Sequence, residues 1–240
     1  MVSLSDLLQQ ALALLASHDT QLWEIIGLSL QVSLSALFIA VLTGLPLAMA
    51  LTVYRFRGDR ILRILVDTLM ALPPVVVGLI VYLLLSRMGP LGVWGLLYTP
   101  TAMVIAQAIL ITPIVVALAL QVFEPHWQRM GEQLQVLGIR SWQRLPIILN
   151  ESRAGLLTVV LAAFGRAIAE IGAVMIVGGN IEHHTRVMTT TIAMETQQGN
   201  LQLALALGMV LIFIALLVNI MGHTISALSA RQTPSHVRTH

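Results

Sequence analysis

The 240 residues carry thirteen basic side chains, all of them arginine, against eleven acidic ones, for a formal net charge of +2. Only 10% of the chain is charged and 57% is hydrophobic, where soluble domains hold roughly 25% charge. An ordinary soluble enzyme is excluded. So is a P-loop nucleotide site, which needs a lysine, and any chemistry that needs cysteine, which is absent.

In chain order, residues 1–21 contain no arginine, so a cleavable signal peptide is not expected. Leu4, Leu7, Leu8, Ala11, Leu12 and Leu15 recur at helical spacing, with Ser3 and Asp6 placed as a capping box. This segment is too short to cross a bilayer and reads as an amphipathic helix lying at the interface.

The runs Ile25–Tyr54, Met88–Phe123 and Thr196–Ala230 contain no Asp, Glu or Arg, and each exceeds the roughly 20 apolar residues that span a membrane. An all-α, polytopic chain with about five spans follows. The first covers about Leu22–Tyr54, with Pro46 kinking it or ending its regular part. The second covers about Ile61–Ser86, with Pro73 and Pro74 near its middle. A Gly89–Gly92 turn and Pro100 precede the third, about Thr101–Phe123, which contains Pro113. The fourth is about Ala154–Gly178 and the fifth about Leu201–Leu228. The division is therefore 1–21, an interfacial segment; 22–228, the transmembrane domain; and 229–240, a tail.

Arginines set the orientation. Arg55, Arg57, Arg60 and Arg63, then Arg129, Arg140, Arg144 and Arg153, then Arg231 and Arg238, fall on one side; Arg87 and Arg186 fall on the other. Ten against two predicts an outside N-terminus and a cytoplasmic C-terminus. The basic excess serves topology, so no nucleic-acid partner is expected.

Residues 124–153 are the one long polar segment and are expected in the cytosol. Met130, Leu134, Leu137 and Ile139 give it an apolar side; Gln128, Arg129, Glu132, Gln133 and Gln135 give it a polar one. Gly138 interrupts the helix, and Ser141, Trp142, Gln143 and Arg144 can start another. Such an element suits docking into a groove on another protein, or rests on lipid headgroups as a connector.

Arg166 and Glu170 are the only charges deep inside a span. On one continuous helix from Ala154 they would lie roughly 18 and 24 Å along it, four residues apart and able to pair. Buried charges of this kind face the bundle interior or an aqueous path. Ala162, Gly165, Ala169, Gly172 and Ala173 form a row of small residues that allows close helix approach. The pair contributes to a pathway or subunit interface, or serves only to hold helix register.

Gly178, Gly179 and Asn180 either line a mouth with anion-directed N–H groups or cap a helix. Thr189, Thr190 and Thr191 either offer hydroxyls to an oxyanion or form a β-branched loop or re-entrant turn. Arg186 attracts anions or anchors at the interface. His183 and His184 beside Glu182 lack metal-ligand spacing and read as a solvated loop, so no metal and no other cofactor is expected.

The stretch from Glu132 through Gly138, followed by Arg153-Ala154-Gly155-Leu156-Leu157, resembles the cytoplasmic coupling loop of ABC importer permeases, where a glycine follows the glutamate of an "EAA" segment by six residues. Gln133 and Leu134 replace the two alanines. Gly165 through Ala173, then Gly178-Gly179-Asn180-Ile181, resembles the fourth-span signature of molybdate, sulfate and tungstate permeases. Thr185 through Ile192, with Glu195 and Gly199, is most similar to the tungstate type.

The resemblance covers about residues 22–228. It implies alternating access by a permease homodimer in a bacterial or archaeal plasma membrane. A cytoplasmic ABC ATPase dimer would drive it, and an extracytoplasmic oxyanion-binding protein would deliver the cargo. Coupling would fall to Glu132, Gly138, Arg140, Trp142 and Arg144. The path or interface would fall to Arg166, Glu170, Gly172, Asn180 and Thr189–Thr191. A second reading is an ion-coupled carrier using Arg166 and Glu170, but no internal repeat supports it. An intramembrane enzyme lacks a nucleophile–base pair or metal cluster.

Overall fold

A computed structural model describes residues 4–17, 19–54, 58–137, 139 and 141–232. Among them there is no strand; ten helices follow in order: α1 (Leu4–Ala16), α2 (Thr20–Val53), α3 (Asp59–Ala71), α4 (Pro74–Leu85), α5 (Pro100–Val136), α6 (Ser141–Glu151), α7 (Arg153–Ile168), α8 (Gly172–Gly178), α9 (Met188–Gln198) and α10 (Leu201–Gln232). The all-α expectation holds. Three helices, α2, α5 and α10, are long and apolar enough to cross a membrane, and the bent pairs α3–α4 and α6–α7 raise the count to five if each is one span.

The centre is the α2–α5 pair, the most extensive helix interface of the chain. Its cause is legible in α2, where Ala36, Ala40, Gly44 and Ala48 recur every four residues on the buried face. The three alanines are fully buried, and a Cβ on Gly44 would stand 3.0 Å from Val115 Cγ1 of α5. Small residues at this period let two backbones approach and exchange dispersion contacts without a hydrophobic drive between them. Both helices run on through their prolines, Pro46 in α2 and Pro113 and Pro125 in α5.

Two expected spans are broken, and one helix outruns its span. The second span is two helices bent by 98°. Leu72, held out of the helical region by the proline that follows it, has ψ 134°, and Pro73 has ψ 130°. Two successive extended residues turn the chain. The helix of the third span, α5, runs on past Phe123 through the polar segment to Val136. Charge marks where a helix leaves lipid, not where its hydrogen bonds stop, and the buried Phe123 and Leu134 keep this end packed. The fourth span is not continuous, because α7 ends at Ile168 and the chain resumes as α8 at Gly172.

α1 packs against α10, with Ala11 fully buried in a cluster containing Leu22, Met188 and Leu207, while Leu8 and Leu12 remain exposed. Its capping residue Ser3 lies outside the described residues. α4 crosses α8 so closely that a Cβ on Gly78 would come within 2.7 Å of Ala173 Cα. That contact holds one wall of the site against the break in the fourth span.

Candidate functional site

The break between α7 and α8 releases backbone groups inside the protein, where each must find a partner. Three side-chain interactions meet this need, and an ion pair adjoins them. Gln107 of α5 donates through Nε2 to Ala167 O at 2.9 Å. Thr189 of α9 donates to Glu170 O at 2.7 Å. Glu170 accepts from the Ala173 N–H at 3.3 Å through Oε1. Its Oε2 accepts from Arg166 Nη1 at 2.6 Å. Glu170 therefore pairs with Arg166 as expected, but across a helix end rather than along one helical face. The position estimated on a continuous helix is corrected accordingly.

The pair is asymmetric. The Glu170 side chain is 5% exposed and that of Arg166 is 42% exposed. Only one end of the ion pair is withdrawn from the surroundings, while the guanidinium reaches out of the packed core. This is the geometry of a group that can meet something outside the chain while its counter-charge stays anchored.

The small-residue row divides at the break. Gly172 abuts α4, where a Cβ would lie 2.8 Å from Val75 Cγ2, and Ala173 is buried beneath Gly78. Ala162 and Gly165 instead line a cavity of about 370 Å³ with Ala215, Val218, Gly222 and His223 of α10.

Asn180 and the three threonines turn inward. Gly179 closes α8 in the left-handed region (φ 71°) and its N–H bonds to Met175 O at 3.0 Å. Asn180, also at positive φ (50°), accepts from Thr190 Oγ1 at 2.8 Å. Thr191 donates to Val187 O at 2.7 Å. Thr189, Thr190 and Thr191 are at most 5% exposed. They form the first turn of α9 rather than a loop, and each hydroxyl proton already has a protein acceptor.

The segment from Asn180 to Arg186 is tied to the start of α2. Gln21 Nε2 donates to Glu182 Oε1 at 2.9 Å, and His183 Nδ1 lies 2.7 Å from Glu24 Oε2. The Glu24 hydrogen bond, then its charge, hold the exposed His183 imidazole above the usual histidine range. Arg186 reaches Glu182 at 3.4 Å. These groups rim a pocket of about 200 Å³ with His184, Leu28 and Gln31.

At the other end, the predicted coupling residues are only partly described. Gly138 and Arg140 lie outside the described residues, and only the backbones of Glu132 in α5 and Trp142 in α6 are described. Arg144 is 9% exposed; its Nε donates to Ile139 O at 2.8 Å and its guanidinium lies 6.0 Å from the Trp127 ring. It closes the turn between α5 and α6. Beside it, Val136 and Leu137 are 88% and 73% exposed, an apolar pair left uncovered among the described residues.

Sequence reasoning missed Gln107, Ser29 and Arg63. Ser29 accepts from the Met188 N–H at 2.7 Å and so fixes the start of α9. Arg63 joins Asp59, Glu124 and Leu51 O, locking α3 to α5 and to the end of α2. An amide inside an uncharged span was the available signal for Gln107. Asp59, four residues before Arg63, was a local signal for that arginine; nothing local marks Ser29.

A helical bundle with two bent helix pairs and an ion pair at a broken helix fits a polytopic membrane protein. Residues 40–231 match the family described as the binding-protein-dependent transport system inner membrane component, and the chain belongs to that family. It is 44% identical to the tungstate uptake system permease protein TupB of Peptoclostridium acidaminophilum, over 87% of this chain and 92% of that protein. Identity to the protein of the same name from Campylobacter jejuni is 39%, over 90% of each chain. The sulfate transport system permease protein CysT of Escherichia coli is 30% identical, over 90% of this chain and 84% of that protein.

Proposed function

We propose that the chain is the membrane-spanning subunit of an ATP-driven importer for a tetrahedral oxyanion, with tungstate first and molybdate or sulfate behind it. The observation that carries this reading is the 44% identity, over nearly the whole chain, to a protein named as a tungstate uptake permease. The weaker identity to a sulfate permease fits the same cargo class. Two copies enclose the path, and Arg166 supplies a partly exposed guanidinium at each broken helix. Five donors in a planar fork suit an oxyanion. Glu170 keeps that attraction from becoming a trap, since a cation already paired at 2.6 Å releases an anion readily.

The ATPase is a separate polypeptide that docks on the end of α5 and on α6. The uncovered Val136 and Leu137 supply apolar contact there, while Ile148, fully buried in the cluster with Leu51, Phe123 and Leu156, carries movement of α6 into α2, α5 and α7. The ten-to-two arginine bias puts this end in the cytosol, with the N-terminus outside. The pocket between residues 180–186 and α2 then faces the loaded binding protein. No observation favours the ion-coupled carrier: arginine does not release its proton, and both Glu170 oxygens accept hydrogen bonds.

The test is reconstitution of the chain with an ABC ATPase and an oxyanion-binding protein of the same organism. ATP hydrolysis is measured with tungstate, molybdate and sulfate in turn. The expected result is stimulation by loaded binding protein, greatest with tungstate. Hydrolysis that ignores all three oxyanions would overturn the proposal.

A further inference from the structure

Beside the break lies a polar cavity whose contents the transport reading does not specify. Ser29 and Ser33 of α2, Gln107 of α5, Glu170 and Thr189 of α9 line it, each between 3% and 5% exposed. Val32, Ile168, Val174 and Val187 complete the wall. The space admits the centre of one water-sized sphere, about 10 Å³, which is the minimum for a single water molecule.

The chemistry of the lining selects the occupant. The Gln107 amide is oriented by its Nε2 bond to Ala167 O. Its Oε1 is buried and has no hydrogen-bonding partner among the described residues. An acceptor left bare in the interior is costly, and cavities that stay dry are apolar. The surplus of oxygen acceptors would also attract a metal cation. The one carboxylate present, however, already neutralises Arg166 and caps the Ala173 N–H. A bound cation would leave a net positive charge in the core without compensation.

We propose that this cavity is a binding site for one internal water molecule, which donates to Gln107 Oε1 and to a second oxygen of the lining. The water ties α5 to another wall of the cavity, alongside the direct Gln107–Ala167 and Thr189–Glu170 bonds. The site stands on the geometry of this chain alone and does not depend on which oxyanion is carried.

The test is electron cryomicroscopy of the intact transporter in lipid nanodiscs, at a resolution that shows ordered water. The same is done for Gln107→Met, which removes the acceptor at nearly constant volume. In the unaltered protein one peak is expected within about 2.7–3.2 Å of Gln107 Oε1 and of at least one other polar atom. The variant is expected to lose it. An empty cavity in the unaltered protein overturns the proposal whether or not the variant folds. So does a peak with shorter contacts that appears only when sodium is supplied, and so does a peak that persists in Gln107→Met.

Discussion

The α2–α5 pair and the α7–α8 break lie side by side and are built on opposite principles. The pair is continuous, apolar and held by close approach of Ala36, Ala40, Gly44 and Ala48 to the facing helix. Apart from the carbonyls four residues before Pro46, Pro113 and Pro125, its own helical hydrogen bonds serve its backbone. The break is discontinuous and depends on side chains from α5 and α9, and on Glu170 itself, to occupy what the helix released. Van der Waals packing tolerates small shifts of a neighbour, whereas a buried polar network fails when one member is lost. The difference separates a frame held by shape from a part held by a few specific bonds.

The sharpest way to break this contrast is Glu170→Ala. It leaves Arg166 without its counter-charge and Ala173 N–H without its acceptor. A loss of roughly 2–4 kcal/mol is expected, below the fully buried limit because Arg166 is partly exposed. Uptake and recovery of assembled transporter should both fall. Normal uptake in this variant would show that the pair is dispensable.

Close approach can be tested on both sides. Gly78→Ala puts a methyl against the Ala173 backbone, which cannot rotate away. A cost of about 1–3 kcal/mol is expected in a thermal melt. Gly44→Ala meets the Val115 side chain at 3.0 Å and the Thr112 backbone oxygen only at 3.4 Å, an ordinary contact, and should cost less. Equal losses would mean that α4–α8 and α2–α5 are packed alike.

Thr189→Val keeps shape and removes the donor to Glu170 O. About 1–3 kcal/mol should be lost, with faster amide exchange at residues 170–173. Thr191→Val, whose hydroxyl bonds only within α9, should leave exchange at the break unchanged. If the two variants behave alike, the Thr189 bond does not support the break.

The smallest effect concerns the outer tie. His183 is held above its usual value by Glu24. Its charged contact is therefore complete below about pH 6.5 and is lost as pH rises through the raised value. Exchange protection at residues 180–186, taken relative to the intrinsic exchange rate at each pH, should fall over that rise, and His183→Gln should abolish the fall. A flat profile in the unaltered protein would remove the charged tie.

Much of the frame could be read from the residues. Long uncharged runs gave α2, α5 and α10, because a bilayer penalises charge over a fixed length. Arg166 and Glu170 stood out for the same reason. Their pairing was legible; the helix end between them was not, because Ile168 to Gly172 contains no proline and no polar run. Gln107 and Thr189 are 60 and 19 residues from the carbonyls they serve, and no local pattern carries such a pairing.

The sequence by itself determined that the chain is helical, lies in a membrane, and holds no lysine for a P-loop nucleotide site. Composition and charge spacing are properties of residues one at a time, and the bilayer acts on them one at a time. Only the tertiary structure decided that the fourth span breaks, that the threonines turn inward, and that Arg166 is left half outside. Those outcomes depend on which hydrogen-bond partners reach a carbonyl from distant elements, and that is settled by packing rather than by neighbours in the chain.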